Sequence, residues 1–354
     1  MTGKIKSFNY NFLISIISVV HFINSFYFKN FYIFGLYSSS LIAAIFFTKY
    51  GLYFLKKYNL FQIIRKEGPS SHSTKDKTPT MGGIFIIPIF LTLILIFNIS
   101  YLPLKLTLFS LILSFFLIGL FDDYFSIRNK TNLGLKGNEK LFLQIISTTC
   151  FIFLLFDISL INPNINFFND IVINFKDLVI PISIITIVGL SNAVNLTDGL
   201  DGLAAGCSSI VFCGLGTEIL ISNNENFILY GLLSFSMSGL CLGFLKYNKF
   251  PAKIFMGDTG SLTIGAIIGI LCVLTNSFFT VFVMSGIFII ETLSVLIQVS
   301  YFKITKRFLK KGKKLFLMTP IHHHFELLGF KEKQIVEIFW IINIILVIVS
   351  IVLK

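Results

Sequence analysis

Stretches of roughly twenty apolar residues, the helix length that crosses a bilayer, recur along this chain with short polar connections between them. They fall at 31–55, 84–101, 104–121, 141–161, 178–193, 203–221, 227–245 and 335–353, and the long run Ser261–Phe302 divides at Thr275-Asn276-Ser277 into 261–274 and 278–302. That predicts ten transmembrane helices. The run at 12–28 is slightly short and carries His21 and Asn24, so it is expected to lie along the membrane interface. Composition agrees. The chain is 55% hydrophobic and 13% charged, with a mean hydropathy of +0.85, whereas soluble domains carry about 25% charged residues. A soluble enzyme, a disordered tail and a disulfide scaffold are excluded, leaving an all-α integral membrane protein with residues 1–354 as one polytopic domain.

Charge placement orients it. The connections 56–83, 122–140, 246–258 and 303–333 hold 22 of the 29 Lys and Arg, and the intervening loops are nearly uncharged. With ten spans all four basic connections fall on one side, which the positive-inside rule makes cytoplasmic. Both termini are then periplasmic; an eleventh span would move only the N-terminus. The basic residues form no continuous face or arm, so nucleic acid is not an expected partner. Cys150, Cys207, Cys213, Cys241 and Cys272 lie inside apolar runs without metal-ligand spacing and read as small packing residues. No small-residue cleavage site follows the first apolar run, so no removable signal peptide is expected.

The unusual polar residues gather at the cytoplasmic ends of spans. The third span runs into Asp122-Asp123-Tyr124, and paired carboxylates are costly within a membrane unless they meet water or a cation. A second cluster is Asn192-Ala-Val-Asn195-Leu-Thr-Asp198-Gly-Leu-Asp201-Gly202. Its Asn195, Asp198 and Asp201 are spaced by three, which stacks oxygens on one face if helical. Such clusters suit hard cations and phosphorylated ligands; a turn between two spans would explain the glycines alone. The third, Phe255-Met-Gly257-Asp258-Thr-Gly-Ser261, leads into a span and offers backbone N–H groups beside a carboxylate, a combination suited to a metal–phosphate complex or to an ordinary helix cap. Loop 56–83 adds Lys75, Thr78 and Thr80 as phosphate contacts. The last loop carries His322-His323-His324, which cannot all point one way on a helix; a three-His zinc site is therefore disfavoured.

Together these motifs resemble the phospho-N-acetylmuramoyl-pentapeptide-transferase family, within the polyprenyl-phosphate N-acetylhexosamine-1-phosphate transferases. Gly68-Pro69…His72, Thr78-Pro-Thr-Met-Gly-Gly83, Asp122-Asp123-Tyr124, Lys140…Gln144, Asn195-Leu-Thr-Asp-Gly-Leu-Asp-Gly-Leu-Ala204, Phe255-Met-Gly-Asp-Thr-Gly-Ser-Leu262 and Pro320-Ile-His-His-His-Phe-Glu326 follow in the family's order. The resemblance implies transfer of phospho-N-acetylmuramoyl-pentapeptide from its UDP derivative to undecaprenyl phosphate, giving lipid I and UMP. It implies Mg²⁺ dependence, a homodimer, a groove at the cytoplasmic face and a place in the bacterial cytoplasmic (inner) membrane. The alternative is a sister enzyme loading another sugar-1-phosphate onto the same lipid.

The resemblance also implies roles. Asp258 would hold Mg²⁺ with Asn195, Asp122 would act as base at the lipid phosphate, and Asp123 would support the metal or the diphosphate. Asn195, Asp198, Asp201, Lys75 and Thr80 would line the nucleotide pocket, with Phe255 stacking on uracil and Lys140 on a phosphate. His322, His323 and His324 would bind the sugar–phosphate region or shape the groove. Two positions depart from the family pattern: Ser126 stands where a Lys is common, and Lys77 where a Gly is usual. Glu291 and Gln298, within the ninth span, read as interhelical hydrogen-bonding groups or a subunit contact.

Overall fold

A computed structural model of the chain describes residues 8–61, 78–97, 102–131, 134–157, 161–166 and 171–353. The helices are α1 (Tyr10–Tyr27), α2 (Tyr32–Lys57), α3 (Ile87–Ile96), α4 (Leu102–Asn129), α5 (Gly137–Asp157), α6 (Val179–Thr197), α7 (Leu203–Ile221), α8 (Ile228–Asn248), α9 (Gly257–Thr275), α10 (Phe278–Met284), α11 (Gly286–Leu309), α12 (Ile321–Leu327) and α13 (Glu332–Val352). A short antiparallel hairpin, β1 (Asn164–Asn166) with β2 (Val172–Asn174), pairs Ile165 with Ile173 between α5 and α6. Among the described residues ten helices, all but α3, α10 and α12, are long and apolar enough to cross a membrane. The protein is an all-α, multi-pass membrane protein.

Residue size decides which helices are central. The apolar stretches of α7, α8 and α9 are each 89% buried, against 22% for α11. In lipid no hydrophobic force draws helices together, so small residues that let backbones approach mark the tight seams. Gly239 and Gly243 of α8 lie against the backbone of Tyr37 and Leu41 in α2, and Gly265 and Gly269 of α9 against Leu190 and Ile187 in α6. The outer helices turn large side chains outward, among them Phe46, Phe47, Leu293 and Leu296, as lipid-facing surfaces do.

The helices differ from the sequence expectation in four places. Residues 12–28 were expected along the interface, but α1 packs lengthwise against α2, α7 and α8. Its polar residues are satisfied there: His21 stacks on Tyr37 at 4.0 Å, and Asn24 donates to Thr217 Oγ1 at 2.8 Å. The expected span 84–101 contains a shorter helix, Gly82–Ile96 counting its opening 3-10 turn. The expected span 278–302 is interrupted at Ser285, between α10 and α11. Finally, α4 does not stop near Phe121 but runs through Asp122 and Asp123 to Asn129.

The bundle has an aspartate end and a far end. α1, α7 and α13 all start at the aspartate end: Tyr10 donates to the Leu242 carbonyl near the end of α8, Asp201 N–H donates to Glu332, and Trp340 donates to the Gly202 carbonyl. They run in parallel, with Asn24 reaching Thr217 and Val347 lying against Gly214. Tyr10 and Glu332 therefore lie at the aspartate end, and Tyr27 and Val352 at the far end.

One close helix approach is at Gly119, where an added Cβ would lie 2.3 Å from the Asp258 carbonyl oxygen. Gly119→Ala is expected to lower stability by about 1–3 kcal/mol through overpacking. Gly35→Ala, with no neighbour within 4 Å of an added Cβ, is expected to raise it by about 0.5–1 kcal/mol. Thermal unfolding in detergent separates the two.

Candidate active site

Four elements bring the charged motifs together at the aspartate end: the last turns of α4, the first turn of α5, the end of α6 and the start of α9. The carboxylates of Asp122, Asp123 and Asp258 offer oxygen atoms that all lie within 4.8 Å of one another. Each plays a different part.

Asp123 is buried and accepts from the backbone N–H of Asp258 (3.1 Å), the N–H of Thr259 (3.0 Å) and the Thr259 hydroxyl (2.6 Å). It thus caps α9, whose first N–H groups have no partner within the helix. Gly257 makes room for this: its φ is +71°, and a Cβ there would lie 2.5 Å from Asp123 Oδ2. A side chain at Gly257 would be strained and would push the cap out.

Asp258 is held on both oxygens. Lys140 Nζ lies 2.6 Å from Oδ2, and Asn195 donates from Nδ2 to Oδ1 at 2.7 Å and to Ser261 Oγ at 2.9 Å. Lys140 also lies 3.4 Å from Asp122 Oδ1, which accepts the Leu135 N–H at 3.1 Å. The lysine ammonium therefore bridges two of the three carboxylates. Here Asn195 acts as a donor that positions Asp258. One turn on from Lys140, Gln144 accepts from Asn192 at 2.7 Å and fixes α5 against α6.

Beyond the carboxylates, the turn at 198–202 borders the site. Desolvation holds the Asp198 carboxyl well above the usual carboxylate range, and the charges of Asp258, Asp123 and Asp201 push the same way. Asp201 is buried; Oδ2 accepts the Ala252 N–H at 2.8 Å, and its own N–H donates to Glu332 Oε1 at 2.7 Å. It ties the turn to the 249–257 connection and to α13. Phe255 is half-buried and holds the 78–83 segment through its backbone: its N–H donates to Pro79 O at 2.8 Å, and its carbonyl accepts from Gly82 at 2.9 Å. Thr80 is buried, with its N–H on Leu60 O.

The three histidines diverge. His322 is fully buried, with Nδ1 3.1 Å from Glu291 Oε2 and Nε2 against Gly199, where an added Cβ would lie at 2.3 Å. His323 faces Glu326 at 2.7 Å, and His324 accepts the Leu317 N–H at 3.2 Å. His322 thereby meets the Asp198–Asp201 turn. Lys75, Lys77 and the Gly68…His72 motif lie outside the described residues. Ser126 donates to the Thr131 carbonyl at 2.7 Å and closes the end of α4.

Sequence reasoning missed Thr259 and Ser261 as individual partners, although both stand in the motif that marked Asp258. Glu332 carried no signal: it sits among lysines before the last apolar run.

Asp123→Ala strips three donors of their acceptor and is expected to cost about 3 kcal/mol or more. Asp258→Asn keeps the shape and the cap. Thermal unfolding in detergent should fall much further for Asp123→Ala.

Residues 105–276 match the family model described as Glycosyl transferase family 4, and residues 75–87 match Phospho-N-acetylmuramoyl-pentapeptide-transferase signature 1. A phospho-N-acetylmuramoyl-pentapeptide-transferase of Prochlorococcus marinus subsp. pastoris (strain CCMP1986 / NIES-2087 / MED4) is 56% identical, covering 100% of this chain and 99% of that protein. One of Prochlorococcus marinus (strain MIT 9301) is 54% identical, with the same coverage. One of Synechococcus sp. (strain CC9605) is 38% identical over 89% of this chain and 91% of its own. With similarity at this level running from end to end, and the motifs of Asp122, Lys140, Asn195 and Asp258 meeting at one cluster, the chain belongs to the phospho-N-acetylmuramoyl-pentapeptide-transferase family.

Proposed function

We propose that this protein transfers phospho-N-acetylmuramoyl-pentapeptide from its UDP derivative to undecaprenyl phosphate, forming lipid I and releasing UMP. The observation that carries the reading is the Asp122–Lys140–Asp258 cluster at one end of a membrane bundle, in a chain 56% identical over its whole length to a relative of that name. One substrate is soluble and the other a lipid, so their phosphates can meet only at a membrane surface.

An oxygen of the lipid phosphate attacks the β-phosphorus of the nucleotide. That P–O bond forms as the bond from the β-phosphorus to the bridging oxygen breaks, and UMP leaves with the electron pair. Two anions must approach, and at about 4 Å their repulsion is roughly 4 kcal/mol at an effective dielectric near 20. Catalysis here is chiefly positioning and charge neutralisation. Lys140 supplies a resident positive charge for a phosphate oxygen. Asp122, with one oxygen fixed by Leu135, takes any proton left on the lipid phosphate. Asp198, Asp201, Phe255, Thr80 and Lys75 line the nucleotide side, and His322, His323 and His324 border the sugar side.

The donor set suits a hard divalent ion, because three carboxylates converge within 4.8 Å and, among the described residues, no thiol or imidazole joins them. Asp258 would hold Mg²⁺ with Asp122 and the Asn195 oxygen, Asp123 remaining as the cap of α9. Bound there, Mg²⁺ would supply positive charge that offsets the repulsion of the phosphates. The family resemblance also supports a homodimer.

The aspartate end faces the cytoplasm of a bacterial cell and the protein resides in the inner membrane. Lys4 and Lys6, just before α1, accord with a cytoplasmic start. With α1 crossing, and α3 leading back to the far end, the chain crosses eleven times and only the C-terminus is periplasmic.

In detergent with UDP-N-acetylmuramoyl-pentapeptide and polyprenyl phosphate, UMP release should require Mg²⁺ and stop with chelator. Asp122→Asn and Asp258→Asn should each lower turnover by about 10²-fold or more. Retained turnover in a variant removes that residue from the chemistry, and lipid product from UDP-N-acetylglucosamine alone selects the sister reaction. For orientation, single cysteines at Thr2 and Lys354, in a Cys150→Ser background, should react with an impermeant thiol reagent from opposite sides. Labelling from the same side returns the count to ten.

A further inference from the structure

A cavity opens at the aspartate end, and none of the three clustered carboxylates lines it. It is bounded by the start of α1, the connection after α8 and the first turns of α13, has a volume of about 180 Å³, and its lining includes Tyr10, Lys249, Phe250, Lys333 and Trp340 together with the acidic Asp201 and Glu337. On this measure a single water needs only roughly 10–15 Å³. Aromatic and lysine side chains at the ends of spans are the composition of a headgroup-level site.

The charges in the cavity are unequally matched. Glu337 lies 3.7 Å from Lys333, and Asp201 is committed to the Ala252 N–H. Lys249 has no carboxylate within 4.0 Å among the described residues; its ammonium lies over the Tyr10 ring at 4.4 Å. Desolvation, and then the charges of Lys246, Lys253 and Lys333, hold its pKa below the ordinary lysine value. This uncompensated cation calls for an anion, and the surrounding rings call for an apolar body attached to it.

We propose that this cavity binds the headgroup of an anionic phospholipid, with the phosphodiester on Lys249, the glycerol part against Tyr10, Phe250 and Trp340, and any free hydroxyl on the Asp201 and Glu337 carboxylates. The occupant is a lipid because the cavity lies where three apolar helices, α1, α8 and α13, begin or end. Through Asp201, whose backbone and side chain hold the 198–202 turn to Glu332 and Ala252, an occupant would steady one wall of the neighbouring site without entering it.

Trp340 is the chain's single tryptophan and lines this cavity, so its emission reports on a change there. The purified full chain in neutral detergent is titrated with short-chain phosphatidylglycerol, short-chain phosphatidylcholine and sn-glycerol 3-phosphate, following Trp340 emission and the unfolding temperature. Phosphatidylglycerol is expected to give a saturable emission change and raise the unfolding temperature by several degrees; the other two should do neither. Lys249→Gln should abolish both responses and Lys249→Arg keep them. An undiminished response in Lys249→Gln, an equal response to phosphatidylcholine, or saturation by glycerol 3-phosphate alone overturns the proposal. Should Lys249→Gln fail to fold, the three titrations of the unaltered protein still decide.

Discussion

The arrangement depends on one carboxylate accepting three hydrogen bonds. Asp123, two turns before the end of α4, caps the first turn of α9 and thereby fixes where Asp258 stands. The cap works because the helices touch backbone to backbone: Gly119 lies against Asp258 and Thr259, and Gly83 against Gly260. A buried carboxylate without donors would be costly in this setting. Here the helix end needs an anion and the anion needs donors, so each requirement is met by the other.

From that junction the remaining parts follow by direct contact. Lys140 spans Asp258 and Asp122, Asn195 reaches Asp258 and Ser261, and Asp201 joins the end of α6 to α13. Helices far apart in sequence are thus tied at one end by polar contacts and along their length by small-residue seams. Polar contacts dominate where the chain leaves the apolar layer and close packing dominates within it, as the low polarity of lipid requires.

Much of this was legible beforehand. The three acidic motifs stood out because carboxylates are rare in so apolar a chain, and Asp122, Asp123, Asp258, Lys140 and Asn195 do meet. What could not be read were pairings that depend on orientation. Nothing local distinguishes Asp123, taken up by a helix end, from Asp122, which meets Lys140 and the Leu135 N–H instead. His322 could not be told from its two neighbours until the bundle placed it between Glu291 and Gly199. α1 read as interfacial because its apolar run is slightly short and carries His21 and Asn24. Their partners, Tyr37 and Thr217, lie in other helices, and hydropathy has no means of crediting them.

The lysine bridge has a consequence for the resting protein. Three carboxylates confined this closely would drive each other apart if nothing neutralised them, and the cleft would have to be reassembled at every encounter. An ammonium tethered to α5 keeps two of them together instead. The arriving reactants then meet a preorganised cradle, and little of their binding free energy is consumed in ordering it.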